Sequence, residues 1–184
     1  MSIFRGFIAI EIHATPQILA FEKEIERTGA DVKLVEPENI HITVKFLGDT
    51  DERHIDEIER TMKESVQDMK PFSLSLKATG VFPNQQYVKV VWIGIIDNGT
   101  IGTIAQKIDE KLAPLGFKRE HRDFSPHLTI GRVKTARNKE KLLIAIGNHT
   151  SDEFAIQEVH SITLKKSELT PKGPIYTTLR EVIL

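Results

Sequence analysis

Two segments of the chain alternate apolar and polar residues in the same phase. The first, HITVKFLG, begins at His41, and the second, HLTIGR, begins at His127, 86 residues further along (127 − 41). With the two-residue period of a β-strand, the Ile, Leu and Val side chains point to one face, and the His and Thr side chains point to the other. Either segment alone is typical of an ordinary half-buried strand. Two copies in the same phase indicate a repeated strand whose polar face has a function.

Apolar residues at regular spacing predict the remaining elements. Steps of three and four residues indicate four helices. Their apolar stripes contain Ile18, Phe21 and Ile25; Ile55, Ile58, Met62 and Val66; Ile101, Ile104, Ile108 and Leu112; and Leu142, Leu143 and Ile146. Besides the two His segments, strands are expected over residues 4–12, 32–34, 72–78, 87–96, 154–159, 162–166 and 175–183.

Capping and turn residues predict where some elements begin and end. Asp49 and Thr50 are suited to the N-cap of the second helix. Segments 82–85 and 172–174 are rich in Pro, Asn and Gly, and we expect both to be loops.

A shift of 86 residues relates more than the two His segments. It carries the first predicted helix, 16–29, onto 102–115, where the third helix is expected. We therefore expect two related lobes, approximately residues 1–97 and 98–184, which pack as one domain because no Gly-, Pro- or Ser-rich linker separates them. Short connections between strands and helices predict an α+β fold with antiparallel sheets.

Composition narrows the classes of function. The 184 residues carry 25 Lys and Arg against 26 Asp and Glu, so the net charge of −1 gives no global attraction to nucleic acid, and a polyanion must bind at a local cluster. The chain has no cysteine, which excludes disulfides, thiolate catalysis and Cys-ligated metals. No signal-peptide layout or membrane-length apolar run is present, so we expect a cytoplasmic protein.

Two His and two Thr side chains would converge on one cleft if a pseudo-twofold axis relates the lobes. Imidazoles titrate near neutral pH, so one of His41 and His127 can accept a proton while the other donates one. The hydroxyls of Thr43 and Thr129 can donate hydrogen bonds to charged oxygens. An acid, a base and oxyanion donors suit phosphodiester chemistry without a metal. The residues themselves do not assign the acid and the base.

This set of motifs resembles the two-histidine (2H) phosphoesterase superfamily, and specifically its RNA 2′,3′-cyclic phosphodiesterase branch, also called 2′-5′ RNA ligase or LigT-like. The resemblance covers nearly the whole chain, because four further motifs accompany the two His-x-Thr segments. They are RGFIA from Arg5, FSP from Phe124, LKKSEL from Leu164 and GPIY from Gly173.

The resemblance implies a two-lobed α+β fold with a central cleft. It implies His41 as the proton donor, His127 as the proton acceptor, and Thr43, Thr129 and Arg132 as residues that hold the substrate phosphate. The substrate would be an RNA or nucleotide with a 2′,3′-cyclic phosphate, tRNA fragments among the possibilities, and the product a 2′-phosphate. The reverse reaction would join 2′-5′ bonds. No cofactor and no metal are expected.

Strand parity assigns faces to the residues that follow the two motifs. Lys45 shares the parity of His41, so it can contact the nucleotide in the cleft or remain a solvated strand-end residue. Arg132 falls opposite His127. It reaches the cleft only if the strand kinks near Gly131 or if it acts from the strand end.

Further side chains are candidate contacts to the nucleotide or RNA. Tyr176, beside the predicted 172–174 loop, can offer its ring or hydroxyl to a nucleotide, or it can be a buried structural residue. Arg119 and Arg122 lie in a basic loop that can steer RNA phosphates, although such loops are often merely solvated. Phe46 is on the core face by parity, and we expect it to pack rather than to stack on a base.

Two classes of function remain. The first is a metal-independent cyclic phosphodiesterase with possible reverse ligation of 2′-5′ bonds. The alternative is a non-catalytic nucleotide- or RNA-end-binding module. Two titratable imidazoles favour the enzyme, because binding alone does not need both.

Overall fold

The computed structural model describes residues 2–121 and 123–184, which form one nine-stranded sheet with helices packed on it. The strands are β1 (Ile3–Glu11), β2 (Val32–Leu34), β3 (His41–Asp51), β4 (Phe72–Pro83), β5 (Val88–Ile96), β6 (His127–Val133), β7 (Glu153–Val159), β8 (Ser161–Thr170) and β9 (Gly173–Ile183). The α-helices are α1 (Pro16–Arg27), α2 (Ile55–Val66), α3 (Thr100–Leu112) and α4 (Lys139–Gly147). The predicted α+β class is confirmed.

The sheet is arranged about a seam between β3 and β6. Its strand order is β7-β4-β5-β6-β3-β1-β8-β9, and β2 pairs with β6. Across the seam, Ile42 pairs with Leu128, and these two residues are themselves 86 positions apart. Such pairing of equivalent residues is what a pseudo-twofold axis through the seam requires. The antiparallel register therefore sets the His of each motif beside the Thr of the other.

Each half of the sheet combines strands from both halves of the chain. The half that contains His41 has the order β3-β1-β8-β9, and the half that contains His127 has the order β6-β5-β4-β7. The expected boundary between residues 97 and 98 therefore separates the two copies of the sequence repeat, but each half of the sheet contains strands from both sides of it. Antiparallel pairing of β8 with β1 and of β7 with β4, rather than chain order, decides which strands lie together.

The apolar faces of the helices and strands form one core. It includes side chains that are at most 1% exposed, among them Ile8, Phe21, Ile42, Ile58, Ile104 and Leu128. Burying each such side chain stabilises the fold by roughly 1.5–3 kcal/mol. The opposite face of the sheet is thus available for a site. Among the described residues, no helix has both the length and the apolar character needed to cross a membrane.

The predicted start of the second helix is wrong. Asp49 and Thr50 are still part of β3, and α2 begins at Ile55. The strand continues to Asp51 because β1 offers it partners as far as Ile3. Residues that can cap a helix were thus drawn into a strand by cross-strand pairing.

Two predicted loops are partly strand. Phe82 lies in β4 and pairs with Val90 of β5. Gly173 begins β9 and pairs with Thr170 of β8. In both hairpins the ladder extends through residues that favour turns, and this extension places Phe82 within the sheet, with β5 between it and the seam strand β6.

Candidate active site

A β-bulge follows the first His-x-Thr motif. Lys45 pairs with Ile8 and Thr43 pairs with Ala9, so Val44 is the extra residue of β3. A bulge turns the residues that follow it to the face opposite from that of strict alternation. Side-chain parity therefore changes just after the motif.

An equivalent bulge follows the second motif. Gly131 pairs with Val91 and Thr129 pairs with Trp92, so Ile130 is the extra residue of β6. Ile130 lies 86 positions after the bulged Val44 of β3. The repeat therefore includes the bulge as well as the His and Thr.

The bulges bring Phe46 and Arg132 onto the same face as the two His. Phe46 is 62% exposed and pairs with Phe7, whose ring lies 4.9 Å from that of His41. Arg132 is exposed, and its charge acts on His41. The bulge at Ile130, one residue before Gly131, is the kink that brings Arg132 to the cleft face. The expectation that Phe46 packs in the core is wrong.

Lys45 and Arg119 lie on the helix side of the sheet, away from the cleft. The Lys45 ammonium is buried, 2.6 Å from a carboxylate oxygen of Asp109 on α3, and it also donates to the carbonyl of Lys118 at 2.8 Å. Arg119 donates to the same carboxylate at 3.3 Å. The parity argument for Lys45 is wrong because of the bulge. Arg122 lies outside the described residues.

The two His rings are oriented by matching hydrogen bonds. Nδ1 of His41 is 2.7 Å from the carbonyl of Asn39, and Nδ1 of His127 is 2.9 Å from the carbonyl of Ser125. Each carbonyl belongs to the residue two positions earlier. A carbonyl can only accept, so it fixes the proton on Nδ1 and leaves Nε2 as the nitrogen that can exchange a proton. Nε2 of His41 is 3.1 Å from the hydroxyl oxygen of Thr43.

His41 contacts two aromatic rings, which also contact each other. The ring centroids of Phe7 and Tyr176 are 4.9 and 5.3 Å from its own. Burial lowers the pKa of His41, and the charges of Lys165 and Arg132 lower it further, against the hydrogen bond to the Asn39 carbonyl. Free His41 is therefore biased towards the neutral form.

Cationic side chains surround the same end of the cleft. Burial raises the pKa of Tyr176, whereas the nearby charges of Arg132 and Arg5 lower it. Lys165, which is only 9% exposed, forms an ion pair with Glu11. An anion bound beside His41 would therefore meet several positive charges.

His127 also contacts an aromatic side chain. The ring of Phe82 stands edge-on to that of His127, with centroids 4.9 Å apart and an interplanar angle of 80°. Trp92, opposite Thr129 in the sheet, lies 5.4 Å from Phe82. The two His thus have matched backbone settings and different side-chain neighbours.

A cavity of about 160 Å³ opens beside His41. Its lining includes Glu11, His13, Asn39, Lys165 and Tyr176. The sequence offered Tyr176 either as a nucleotide contact or as a buried structural residue, and it did not single out the ion pair of Lys165 and Glu11. The signal was available, because Thr163 and Lys165 alternate with the apolar Ile162 and Leu164 in the predicted strand 162–166. Within residues 2–121 and 123–184, no three His, Cys, Asp or Glu side chains are arranged to hold a metal ion.

Comparison with known proteins places this geometry in context. Residues 5–168 match the 2′-5′ RNA ligase superfamily. The RNA 2′,3′-cyclic phosphodiesterase of Methanocaldococcus jannaschii is 45% identical over 179 residues, which cover 96% of this chain and 99% of that protein. The protein of the same name from Methanothermobacter thermautotrophicus is 38% identical over 177 residues, covering 95% and 96%.

The fold has a counterpart among crystal structures. A protein of Thermus thermophilus matches with a TM-score of 0.80 at 23% identity, over 98% of this chain and 97% of that chain. At this level of identity the likeness shows the fold.

Proposed function

The chain belongs to the 2′-5′ RNA ligase superfamily, and we propose that it hydrolyses the 2′,3′-cyclic phosphate ends of RNA to 2′-phosphates by acid–base catalysis with two histidines. The observation that carries the proposal is the matched setting of His41 and His127, each with Nδ1 held by a backbone carbonyl. The curated relatives carry the name RNA 2′,3′-cyclic phosphodiesterase over nearly the whole length of the chain.

The proposed mechanism is an in-line displacement at phosphorus. Water enters on the side of His127, whose Nε2 takes its proton. The 3′-oxygen leaves on the opposite side and takes the proton of Nε2 of His41. The assignment of acid and base follows the family resemblance. Thr43 and Thr129, beside the two His at the seam, would donate hydrogen bonds to the non-bridging oxygens as charge develops on them.

The lowered pKa of His41 is compatible with its role as the acid. A phosphate monoanion beside the ring favours the imidazolium form, so substrate binding would itself supply the proton that free His41 tends to lose. Arg132, turned into the cleft by the bulge, would neutralise the phosphate and hold it between the two rings. No step in this scheme uses a metal or a cofactor.

The proposed substrate is an RNA or nucleotide end, tRNA fragments included, rather than a free phosphate. Half-buried Tyr176 offers ring surface next to His41, and exposed Phe46, opposite Phe7 in the sheet, offers a second ring surface on which a base can stack. Ligation of a 5′-hydroxyl to the cyclic phosphate would use the same proton transfers in the same direction, with the 5′-hydroxyl in place of water. The cytoplasmic location stays a prediction.

The test is turnover of a nucleoside 2′,3′-cyclic phosphate in EDTA, followed by phosphorus NMR. We expect a 2′-phosphate product. His41→Ala and His127→Ala should each lower kcat roughly 10²–10⁴-fold, and Thr43→Ala and Thr129→Ala about 10- to 10³-fold. His160→Ala, at an exposed His paired with Glu158, is the matched control and should leave the rate unchanged.

Three outcomes would contradict the proposal. Binding of the cyclic nucleotide without turnover would favour the RNA-end-binding module. Activity that disappears in EDTA and returns with a divalent cation would replace the metal-free scheme. A 3′-phosphate product would mean that the 2′-oxygen leaves instead of the 3′-oxygen.

A further inference from the structure

The cleft has two aromatic sites, one beside each His, and they differ in a way that the pseudo-symmetry does not require. Beside His41 the sheet carries Ala9 opposite Thr43, with Lys165 nearby. At the equivalent positions beside His127 it carries Trp92 and Phe82. The fold therefore tolerates a small and a charged residue at these positions, so packing alone does not explain two large rings.

The Trp92 ring lies over β4, on the face of the sheet that carries Thr129. It covers Gly80, where an added Cβ would come within 2.2 Å of the ring, so only glycine allows this position. The ring is half-buried and packs against β4. Phe82, half-buried, stands between this ring and His127. Together the rings of Trp92 and Phe82 form an aromatic wall on the His127 side of the cleft.

One cation lies in the same row. Val90 pairs with Phe82 on one side and with Arg132 on the other, so the guanidinium and the Phe82 ring belong to one line across the cleft face. A ring surface for a base next to a cation for a phosphate is the arrangement that binds single-stranded RNA.

We propose that Phe82 and Trp92 form the binding site for the nucleoside that brings a 5′-hydroxyl to the cyclic phosphate, so that this wall determines whether water or a second RNA strand attacks. The proposal rests on the proposed function. In-line attack places the 5′-oxygen where water would otherwise enter, on the side of His127. Water needs no ring surface, whereas a second nucleoside does.

The joining step balances without a further reactant. The 5′-oxygen forms a bond to phosphorus, and its proton passes to Nε2 of His127. The bond from phosphorus to the 3′-oxygen breaks, and that oxygen takes the proton of Nε2 of His41. The product is a 2′-5′ phosphodiester with a free 3′-hydroxyl. Cleavage of a 2′-5′-linked dinucleotide is the same step reversed and therefore uses the same site.

The test compares two substrates, a nucleoside 2′,3′-cyclic phosphate and a 2′-5′-linked dinucleotide. Trp92→Leu and Phe82→Leu should lower kcat/KM for the dinucleotide about 10- to 100-fold, the scale of one lost base stack, and should lower it much less for the cyclic nucleotide, with Trp92→Leu the cleaner comparison because Phe82 contacts His127. Trp92→Phe should retain most of the dinucleotide activity. Tyr87→Leu, at a 60% exposed ring just before β5, is the control and should change the rate with neither substrate. Equal losses on both substrates would mean that the rings only orient His127, and would overturn the proposal.

A binding measurement on the unmodified protein gives a second, independent readout. Trp92 is the only tryptophan of the chain, so its fluorescence reports on this site alone. With the His41 side saturated by adenosine 2′-phosphate, added adenosine should quench the fluorescence further and saturably, and no such quench would overturn the proposal. A protein that hydrolyses the cyclic nucleotide but does not cleave the dinucleotide would refute this inference alone. A protein inactive on both would refute the proposed function as well.

Discussion

At the scale of single residues, the two His differ because their neighbours differ. In each, Nδ1 faces the backbone carbonyl of the residue two positions earlier, so the two rings have the same tautomer. Only His41 is enclosed by rings and flanked by the ion pair of Lys165 and Glu11. An enclosed imidazole is sensitive to charges that water would otherwise screen.

The ion pair of Lys165 and Glu11 predicts that substitutions of its two members shift the pKa of His41 in opposite directions. Burial is the main cause of the lowered pKa of His41; Lys165 lowers it further and Glu11 raises it. Lys165→Gln should therefore raise the pKa of His41, and Glu11→Gln should lower it. The measurement is NMR titration of the His41 ring. The alkaline limb of kcat/KM, where the free enzyme loses the protonated acid, should move in the same directions. Shifts of the same sign in both variants would contradict the assignment.

At the scale of elements, the two bulges decide what each seam strand presents to the cleft. Without the extra Val44, Lys45 would point at the substrate and Phe46 into the core. With it, the ammonium of Lys45 lies under the sheet against Asp109, joining β3 to α3 and to the start of the loop that leads to His127. A bulge beside a site re-aims side chains in this way in many sheets.

Lys45→Met should therefore act on stability rather than on catalysis. Removing one partner of a buried pair leaves the Asp109 carboxylate short of a donor, and we expect the free energy of unfolding to fall by about 3 kcal/mol. Lys63→Met, in the exposed pair with Glu59, is the control and should cost less than about 0.5 kcal/mol. Urea unfolding measures both. A Lys45 variant with normal stability and a specific loss of kcat/KM would instead place its ammonium in the cleft.

At the scale of the whole molecule, side chains far apart in sequence connect elements that the chain order separates. His149, after α4, contacts Glu24 of α1 at 2.6 Å and Asp152 at 2.7 Å. Burial lowers the pKa of His149, but the hydrogen bonds to the two carboxylates outweigh it and the pKa is raised. The protonated ring thus clamps α1 to the connection between α4 and β7.

This clamp predicts a pH-dependent stability. Because the folded-state pKa exceeds the unfolded value near 6.5, the stabilisation is complete below that pH and is lost as the pH rises through the folded-state value. His149→Gln should lower the free energy of unfolding by about 1 kcal/mol at pH 6 and by less at pH 9. The measurement is urea unfolding at both pH values. His160→Gln, at an exposed His, should show no such difference, and a pH-independent loss for His149→Gln would rule out the clamp.

The sequence by itself determined the elements and the chemical pair. Steps of three and four residues located four helices, and alternation located the strands, because these patterns follow from the backbone geometry of each element alone. The same 86-residue shift that relates His41 to His127 predicted two equivalent settings, and Ile42 opposite Leu128 at the seam agrees with it.

Only the tertiary structure decided which residues accompany that pair. A bulge is defined by the strand opposite, so parity within β3 or β6 could not show that Lys45 leaves the cleft and that Phe46 and Arg132 enter it. Phe82 lies in β4 and not in the predicted loop, because the pairing of β4 with β5 includes this residue. The physical reason is common to these cases: local pattern fixes the direction of a side chain relative to its chain neighbours, whereas cross-strand hydrogen bonds to distant residues fix where that direction leads.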